Sequence, residues 1–281
     1  MSDAAQAADA VRMPSLLRLG WGRIVIELKQ FWRSPTRLVF TFMLPLVFLV
    51  VFTAIFGNQK LPGPKGSPDL KFRDYFVPGI IAVGIMSTTF SNLATSIPIE
   101  RGMGMMKRLS GTPLPREAFF IGKIGMTVIV TALETIVLLA VGVALYRVKL
   151  PVDAAHWAVL GWVFLLGTAS CSVLGIAYTR LIGNAESAIA IVQMPYLILQ
   201  FISGVFFRYS EIPKWMQDIA IVFPLKWLAQ GMRYAFVPDW LGQSEYGGWQ
   251  LPMIALMLAG WTIAGFVLSV LFFRWNVEAD S

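Results

Sequence analysis

Three side chains in this sequence have the chemistry for catalysis or metal binding, but they stand apart from one another. Glu134 lies in the middle of the apolar run at residues 121–145. Cys171 lies inside the following run, residues 157–179, and His156, the only histidine, borders that same run. One cysteine cannot form an intrachain disulfide, and a metal site needs several converging ligands. We therefore expect no catalytic residue and no metal site, and we interpret His156 as an interfacial side chain.

The motifs that hold nucleotides or perform hydrolysis are also absent from the sequence. The Gly122-Lys123 pair is followed by Ile124, and Glu117 stands where a phosphate-binding loop would have its first glycine. No H-E-x-x-H, C-x-x-C or G-x-S-x-G pattern occurs. The chain cannot hydrolyse ATP with such a loop. If it moves a solute uphill, the energy comes from a partner or from an ion gradient.

The composition is typical of a membrane protein. Of 281 residues, 57% are hydrophobic and 14% are charged, whereas soluble domains have about a quarter of their residues charged. The net charge is +7, but the basic residues border apolar runs, so lipid headgroups explain them and we expect no nucleic acid partner. Residues 1–13 lack an apolar core followed by a cleavage site, so we expect no cleaved signal peptide.

Six apolar runs are long enough to cross a bilayer, whose hydrocarbon core takes about 20 helical residues. They predict an all-α polytopic membrane protein with six transmembrane helices in a single domain, residues 38–281. Residues 1–37 are predicted to form a tail and an interfacial helix, because residues 15–34 are basic and amphipathic. We expect its apolar face to hold Leu17, Trp21, Ile24, Leu28 and Phe31. The spans are predicted at about 38–57, 75–97, 121–145, 157–179, 187–207 and 251–273.

Two segments between the spans have a distinct character. Residues 208–248 contain short apolar pieces broken by prolines, which predict re-entrant or interfacial half-helices. Residues 98–120 form a basic, glycine-broken loop. Basic residues precede the first span and fill this loop, so the positive-inside rule predicts that both termini and residues 98–120 are cytoplasmic and that residues 208–248 are external.

The second and fifth spans each carry a stripe of polar side chains at three- and four-residue steps. A polar stripe that faced lipid would be costly, so each is expected to face another helix or a water-filled path. Plain helix packing and a translocation path both fit this pattern. The two stripes consist of Thr88, Asn92 and Thr95, and of Gln193, Tyr196 and Gln200.

Glu134 is the most informative residue within the spans. A charged carboxylate at mid-membrane costs about 2.5–3.5 kcal/mol on insertion scales. The group is therefore expected to be protonated, paired or in a wet cavity. A contact with substrate or gate and a structural hydrogen bond both remain open.

The loop at residues 98–120 begins with a pattern typical of a short helix. Apolar residues that include Met103, Met106 and Leu109 can share one face, while Arg101, Lys107 and Arg108 point elsewhere. Flexible methionines beside basic residues favour a docking surface. A basic interfacial loop that only sets topology is the alternative.

These residues resemble a known family. Glu100-Arg101, Lys107-Arg108-Leu109, Thr112-Pro113 and Gly122-Lys123 resemble the cytoplasmic loop of type-2 ATP-binding-cassette (ABC) exporter permeases. A second set resembles the segment that follows the fifth span in the same family, although Arg208 stands where proline is frequent and Lys226 where threonine is common. This second set is Ser203–Phe207, Ile212-Pro213, Trp215, Pro224-Leu225 and Arg233.

The resemblance implies a subunit of the bacterial plasma membrane that pairs with a second copy or paralogue and with cytosolic ABC ATPases. ATP and Mg would bind to the ATPases, and this chain would hold no cofactor. The second and fifth spans would line the path at the dimer interface. The implied ATPase-coupling residues are Arg23, Glu27, Glu100, Arg101, Met103, Met106, Lys107, Arg108 and Leu109. The implied external gate consists of Phe206, Phe207, Pro213, Trp215 and Pro224.

The resemblance and the apolar spans together favour an exporter of an amphipathic or lipophilic compound, such as a drug or antibiotic. One alternative is export of a lipid-linked polysaccharide or a teichoic-acid-like polymer. From another class, the chain could be a membrane scaffold without transport activity, or an enzyme that acts on lipids with Glu134 as its acid or base.

Overall fold

The computed structural model describes residues 15–67, 69–112, 114–151 and 153–272. In these residues the chain is mainly helical, with one short hairpin in which β1 (Lys60–Leu61) pairs antiparallel with β2 (Leu70–Lys71). The hairpin adds a small sheet to the expected all-α plan. It forms between spans, where both of its strands can complete their ladder without crossing lipid.

The first half of the described chain contains the longest helices. Ser15 caps α1 by accepting a hydrogen bond from the Arg18 amide at 3.4 Å, and Pro35 begins α2. The elements are α1 (Leu16–Trp32), α2 (Pro35–Phe56), α3 (Phe72–Met86), a π-helical turn (Ser87–Ser91), α4 (Asn92–Gly102), α5 (Met105–Ser110) and α6 (Arg116–Tyr146).

The second half begins with a helix that Asp153 caps by accepting from the His156 amide at 2.9 Å. The elements are α7 (Ala154–Tyr178), a 3-10 turn (Thr179–Leu181), α8 (Ala188–Ile202), a second 3-10 turn (Tyr209–Glu211), α9 (Lys214–Val222), α10 (Pro224–Tyr234), α11 (Asp239–Tyr246) and α12 (Leu251–Phe272).

Five helical segments among the described residues are long and apolar enough to cross a membrane. They are Pro35–Phe56, Phe72–Gly102, Glu117–Tyr146, Ala154–Leu181 and Leu251–Leu271. The predicted span at 187–207 is different, because α8 ends at Ile202 and the chain turns at Gly204, whose φ is +72°. Its 15 residues cover about 22 Å, less than a hydrocarbon core of about 30 Å. Residue 273, the last of the predicted sixth span, lies outside the described residues.

The segment Phe72–Gly102 is the central element of the bundle. It is buried over most of its length, while α2 and α12 expose most of their surface. Flanking it are α2, α6, α7 and α10. The π-helical turn keeps α3 and α4 continuous, so this segment reaches from one end of the bundle to the other.

The two ends of the bundle are built differently. One, which we call the basic end, contains α5, the start of α6 and the C-terminal ends of α4 and α7. The other, the hairpin end, contains β1, β2 and the short helices α9, α10 and α11. The expected loop at residues 98–120 is shorter than predicted, because α4 extends to Gly102 and α6 starts at Arg116. Gly104, with φ +71°, separates α4 from α5.

Helix α1 packs along the first half of α6. Its buried face consists of Gly20, Arg23, Ile24, Glu27 and Phe31. The predicted apolar face was therefore wrong in part, because Leu17 and Trp21 are exposed while two charged residues are buried. Those two charged residues are paired inside the protein, as described below.

Glycines on α6 allow the close approach of α1. A Cβ atom on Gly122 would lie 2.1 Å from Cγ of Arg23, and one on Gly125 would lie 2.4 Å from Cδ1 of Ile24. Both distances are far below van der Waals contact. The neighbours are part of a packed helix face, so they cannot move aside freely.

We predict that Gly122→Ala destabilises the protein by about 1–3 kcal/mol, because the new methyl group overpacks the contact between α1 and α6. Gly161→Ala is the matched control, since nothing lies within 4 Å of its Cβ position. Thermal unfolding in mild detergent, followed by tryptophan fluorescence, compares the two. Equal unfolding midpoints for both variants would contradict the packing described here.

Candidate functional site

Four buried charged side chains meet where α1, α4 and α6 come together. Arg23 donates to Glu27 at 2.6 Å, and Lys123 donates both to the other carboxylate oxygen of Glu27, at 2.9 Å, and to Glu100. Each of these side chains is at most 8% exposed. The two positive and two negative charges alternate and cancel. We call this group the charge cluster.

An aromatic ring lies close to both cations of the charge cluster. The Phe119 ring centroid lies 5.5 Å from the Arg23 guanidinium and 5.7 Å from the Lys123 ammonium, within range of a cation–π attraction. Burial of ions is costly, and only complete pairing offsets that cost. The cluster therefore fixes α1 and α4 to α6 as long as every member keeps its partner.

Lys123 is the member of the cluster that sequence reasoning missed as a site residue. In the sequence, Lys123 is half of a Gly-Lys pair that forms no phosphate loop and part of the family resemblance, but it was not predicted as a coupling residue. The available signal was its position just inside an apolar run, where a lysine is expensive unless it is paired. Its partners Glu27 and Glu100 lie far away in the sequence, so their identity was not predictable from spacing.

The proposed coupling residues divide into buried and surface groups. Arg23, Glu27, Glu100 and Met106 are buried, so we revise their interpretation from direct contact to support of the surface. Met106 packs in an apolar cluster with residues of α4, α6 and α7. The surface group is Met103, Lys107 and Arg108, which are exposed, with Arg101 and Leu109 partly exposed.

The predicted polar stripes meet at the π-helical turn. Thr88 donates a hydrogen bond to Oε2 of Glu134, which is 1% exposed. Gln193 donates to the Ser91 hydroxyl at 3.0 Å, and Tyr196 donates to the Val83 carbonyl at 3.3 Å. π-helical turns occur frequently at functional sites. This one brings residues of α3, α6 and α8 together in the middle of the bundle.

Glu134 occupies space that a glycine leaves open. A Cβ atom on Gly84 would lie 2.9 Å from Oε1 of Glu134, and this oxygen has no hydrogen-bond partner among the described residues. From the sequence, the Glu134 carboxyl group is expected to be protonated, paired or in a water-filled cavity. The hydrogen bond from Thr88 is the polar contact that the structure gives it.

The remaining stripe residues lie nearer the protein surface, with one exception. Asn92 and Thr95 are partly exposed and Gln193 is exposed, whereas Gln200 is buried. Gln193 is followed by exposed apolar residues such as Met194. The polar edge of α4 and α8 thus borders an apolar surface.

At the hairpin end, Arg233 holds four segments together. Its guanidinium is fully buried and donates to the Tyr75 carbonyl at 3.1 Å, to the Gly204 carbonyl at 2.6 Å and to the Tyr246 hydroxyl at 2.8 Å. It also lies 3.6 Å from the centroid of the Tyr75 ring. These contacts join α3, the turn after α8, α10 and α11.

The predicted gate residues are spread over this end rather than gathered in one place. Phe206 is buried against aromatic rings of α2 and α3, whereas Phe207 and Trp215 are exposed. Pro213 precedes α9, and Pro224 is the first residue of α10. The short helices α9, α10 and α11 lie within residues 208–248, the segment predicted to contain half-helices.

Lys226 is an unusual cation in the first turn of α10. It is 4% exposed, and its ammonium lies 3.4 Å from the Trp227 ring centroid, 5.4 Å from that of Tyr209 and 5.5 Å from that of Tyr246. The described residues provide no carboxylate partner, because Glu245 pairs with Arg208 at 2.5 Å. Burial lowers the pKa of Lys226 to about 7.

The comparisons with known proteins agree with this architecture. Residues 24–237 match the model of the ABC-2 type transporter family. The chain belongs to this family. The matched region begins within α1 and ends shortly after α10, so it includes Glu27, Glu100 and Lys123 of the charge cluster, the π-helical turn and Arg233. The protein is therefore a transport permease.

Individual relatives of this ABC-2 permease have low sequence identity to it, but their alignments cover much of this chain. A transport permease named ycf38 from Pyropia yezoensis is 26% identical over 213 residues, which cover 74% of this chain and 70% of that protein. The inner membrane transport permease YadH of Escherichia coli K12 is 20% identical over 220 residues, or 77% of this chain and 81% of that protein. YbhR of E. coli K12, named as a multidrug ABC transporter permease, is 23% identical over 180 residues. These residues cover 62% of this chain and 46% of that protein.

We predict that Lys123→Met lowers the free energy of unfolding by about 3–5 kcal/mol, because two buried carboxylates lose their shared cation. Adding Glu100→Gln should restore part of that loss by removing one unpaired charge. Chemical unfolding in detergent measures both variants against Lys149→Met, which alters an exposed lysine. A Lys123→Met variant as stable as Lys149→Met would contradict the role of the cluster.

We predict that stability rises with pH between about 7 and 10.5 because of Lys226. Its folded pKa of about 7 lies below the ordinary value of 10.5, so in that range the unfolded chain binds more protons. The rise is at most about 1.4 kcal/mol per pH unit. Lys226→Met should remove this increment, as seen in unfolding curves of both proteins across the range. If the stability of wild type and of Lys226→Met changed in parallel with pH, the pKa of Lys226 would not be lowered in the folded protein.

Proposed function

We propose that this permease is the membrane subunit of an exporter that moves an amphipathic or lipophilic compound out of the cell, driven by ATP hydrolysis on a partner ABC ATPase. The supporting observation is the charge cluster, which joins α1, α4 and α6 at the end of the bundle that carries the exposed basic residues of α5. The chain contains no phosphate loop of its own. The proposed location is the bacterial plasma membrane, with both termini and the basic end in the cytoplasm.

The ATPase would bind at the surface formed by the start of α5. Met103 is 53% exposed, and Lys107 and Arg108 are exposed beside it. The Arg108 guanidinium donates to the Met103 carbonyl at 3.3 Å, which holds the basic side chain close to the methionine. A flexible apolar side chain flanked by cations suits a partner groove with an acidic rim.

The charge cluster would carry movement from this surface into the membrane region. Glu100 lies near the end of the central segment and Lys123 lies in the first part of α6. Separating them would leave buried charges unpaired, which is costly. Any displacement of α4 therefore shifts α6 with it. Glu134 lies eleven residues beyond Lys123 on α6, about 16 Å along the axis, where it is bonded to Thr88 in the π-helical turn.

A second permease copy or paralogue would complete the path. Asn92, which is partly exposed, and Gln193, which is exposed, bring amide side chains to the surface of α4 and α8. Such groups are costly against lipid and are used to join membrane helices. A facing copy would satisfy them and enclose a polar edge. The path is thus proposed to run between two permeases along α4 and α8.

The character of α8 supports a lipophilic substrate rather than a sugar polymer. The large apolar residues on its exposed face are aliphatic except for Phe201. Sugar rings stack on aromatic side chains, and this face offers few of them. One relative, YbhR, is named as a multidrug ABC transporter permease, which agrees with a drug-like or lipophilic cargo.

We predict that the double variant Lys107→Glu and Arg108→Glu abolishes co-purification of the ATPase, because reversed charges repel a complementary surface and cost several kcal/mol. The measurement is identification of the proteins that elute with the tagged permease in mild detergent. Lys65→Glu with Lys149→Glu is the control, since it makes the same charge change at exposed sites away from α5.

Two outcomes would contradict the proposal. Unchanged ATPase recovery with the double variant would exclude the α5 surface as the docking site. Reproducible absence of any ABC ATPase from the intact wild-type complex would contradict the energy source itself. A scaffold without transport activity, or a lipid-acting enzyme based on Glu134, would then be the function to test.

A further inference from the structure

A large apolar cavity lies at the basic end, outside the charge cluster and the polar path. Its volume is about 640 Å³, within the range of about 300–1,000 Å³ that is usual for ligand sites. Four helices line it, namely α1, α6, α7 and α12. Among its lining residues are Ile24, Ile121, Val173, Phe266 and Val270. We call this cavity the α1–α12 groove.

The groove opens towards the lipid-facing side of the bundle. Phe266 and Val270 form part of its wall and are 61% and 66% exposed. Both belong to α12, which is long and apolar enough to span the membrane. Apolar side chains with this exposure on a spanning helix contact acyl chains. The interior of the groove is therefore continuous with the hydrocarbon phase.

One carboxylate gives the groove its chemical preference. The polar side chains in its described lining are Glu117 and Ser269, and the Ser269 hydroxyl donates to the Val173 carbonyl at 3.1 Å. Glu117 is exposed in the first turn of α6, and no ion pair involves it in the described part of the chain. Its position at a helix end places it near the headgroup level.

We propose that the α1–α12 groove binds a membrane phospholipid with a primary amine headgroup. One acyl chain occupies the apolar groove, and the ammonium group pairs with Glu117. The carboxylate attracts the ammonium and repels lipids that carry only negative charge. Because α1 and α12 both line the groove, the bound lipid contacts two helices that are far apart in the sequence. This inference does not depend on the exporter function.

Native mass spectrometry of the full chain in mild detergent tests the site, with phosphatidylethanolamine and phosphatidylglycerol as the added lipids. The wild-type protein should retain phosphatidylethanolamine in preference to phosphatidylglycerol. Val270→Trp fills the groove and should lower that retention about tenfold, the effect of losing one good contact. Val267→Trp, on the exposed surface of the same helix, should retain the lipid as wild type does.

Reversal of the headgroup preference tests the carboxylate separately. Glu117→Lys should favour phosphatidylglycerol, whereas Glu186→Lys, with the same charge change at another exposed glutamate, should not. Glu117 is exposed, so its replacement leaves the packed core intact. Equal retention by Val270→Trp and Val267→Trp would overturn the site. Equal headgroup preference in the two glutamate variants would overturn the role of Glu117.

Tetraphenylphosphonium, a lipophilic cation, serves as a second probe. Binding of this cation without any retained lipid would overturn the choice of ligand.

Discussion

The pairing of one buried ammonium with two carboxylates is the interaction on which the rest of the structure depends. Lys123 satisfies Glu27 and Glu100 at once, and Arg23 completes the neutralisation. In a site closed to water, these charges stabilise the fold only as a complete set. The cluster thus decides where α1 lies and how the C-terminal end of α4 meets α6, and it defines the surface that α5 presents.

A second buried cation performs a similar task at the other end of the same central segment. Arg233 holds the start of α3 through the Tyr75 carbonyl and ring, while Lys123 holds the end of α4 through Glu100. Between them the π-helical turn receives Glu134 from α6. A helix fixed at both ends and irregular in its middle can change shape only near that irregularity. The polar contacts of Thr88, Glu134 and Gln193 gather at that irregularity.

The long apolar runs made most spans predictable, because a bilayer sets a minimum length that composition alone can reveal. The end of α8 was not predictable in this way, since it depends on the left-handed turn at Gly204. The buried face of α1 was predicted incorrectly for a related reason. Hydropathy assigns charges to the surface, and the counter-ions of Arg23 and Glu27 include a residue 96 positions away. The family resemblance named coupling residues without distinguishing the buried ones, such as Glu27 and Glu100, from exposed ones such as Lys107.

The charge cluster also constrains the order in which the chain can be assembled. Arg23 and Glu27 neutralise each other within one helix and are made early, whereas Glu100 and Lys123 follow Glu27 by 73 and 96 residues. Until α6 has been made and inserted, α1 has no site in which to bury its charged face. The helix must wait at the membrane surface, where its exposed tryptophans and basic residues can hold it. Docking of α1 is therefore a late step in biogenesis, although α1 comes first in the sequence.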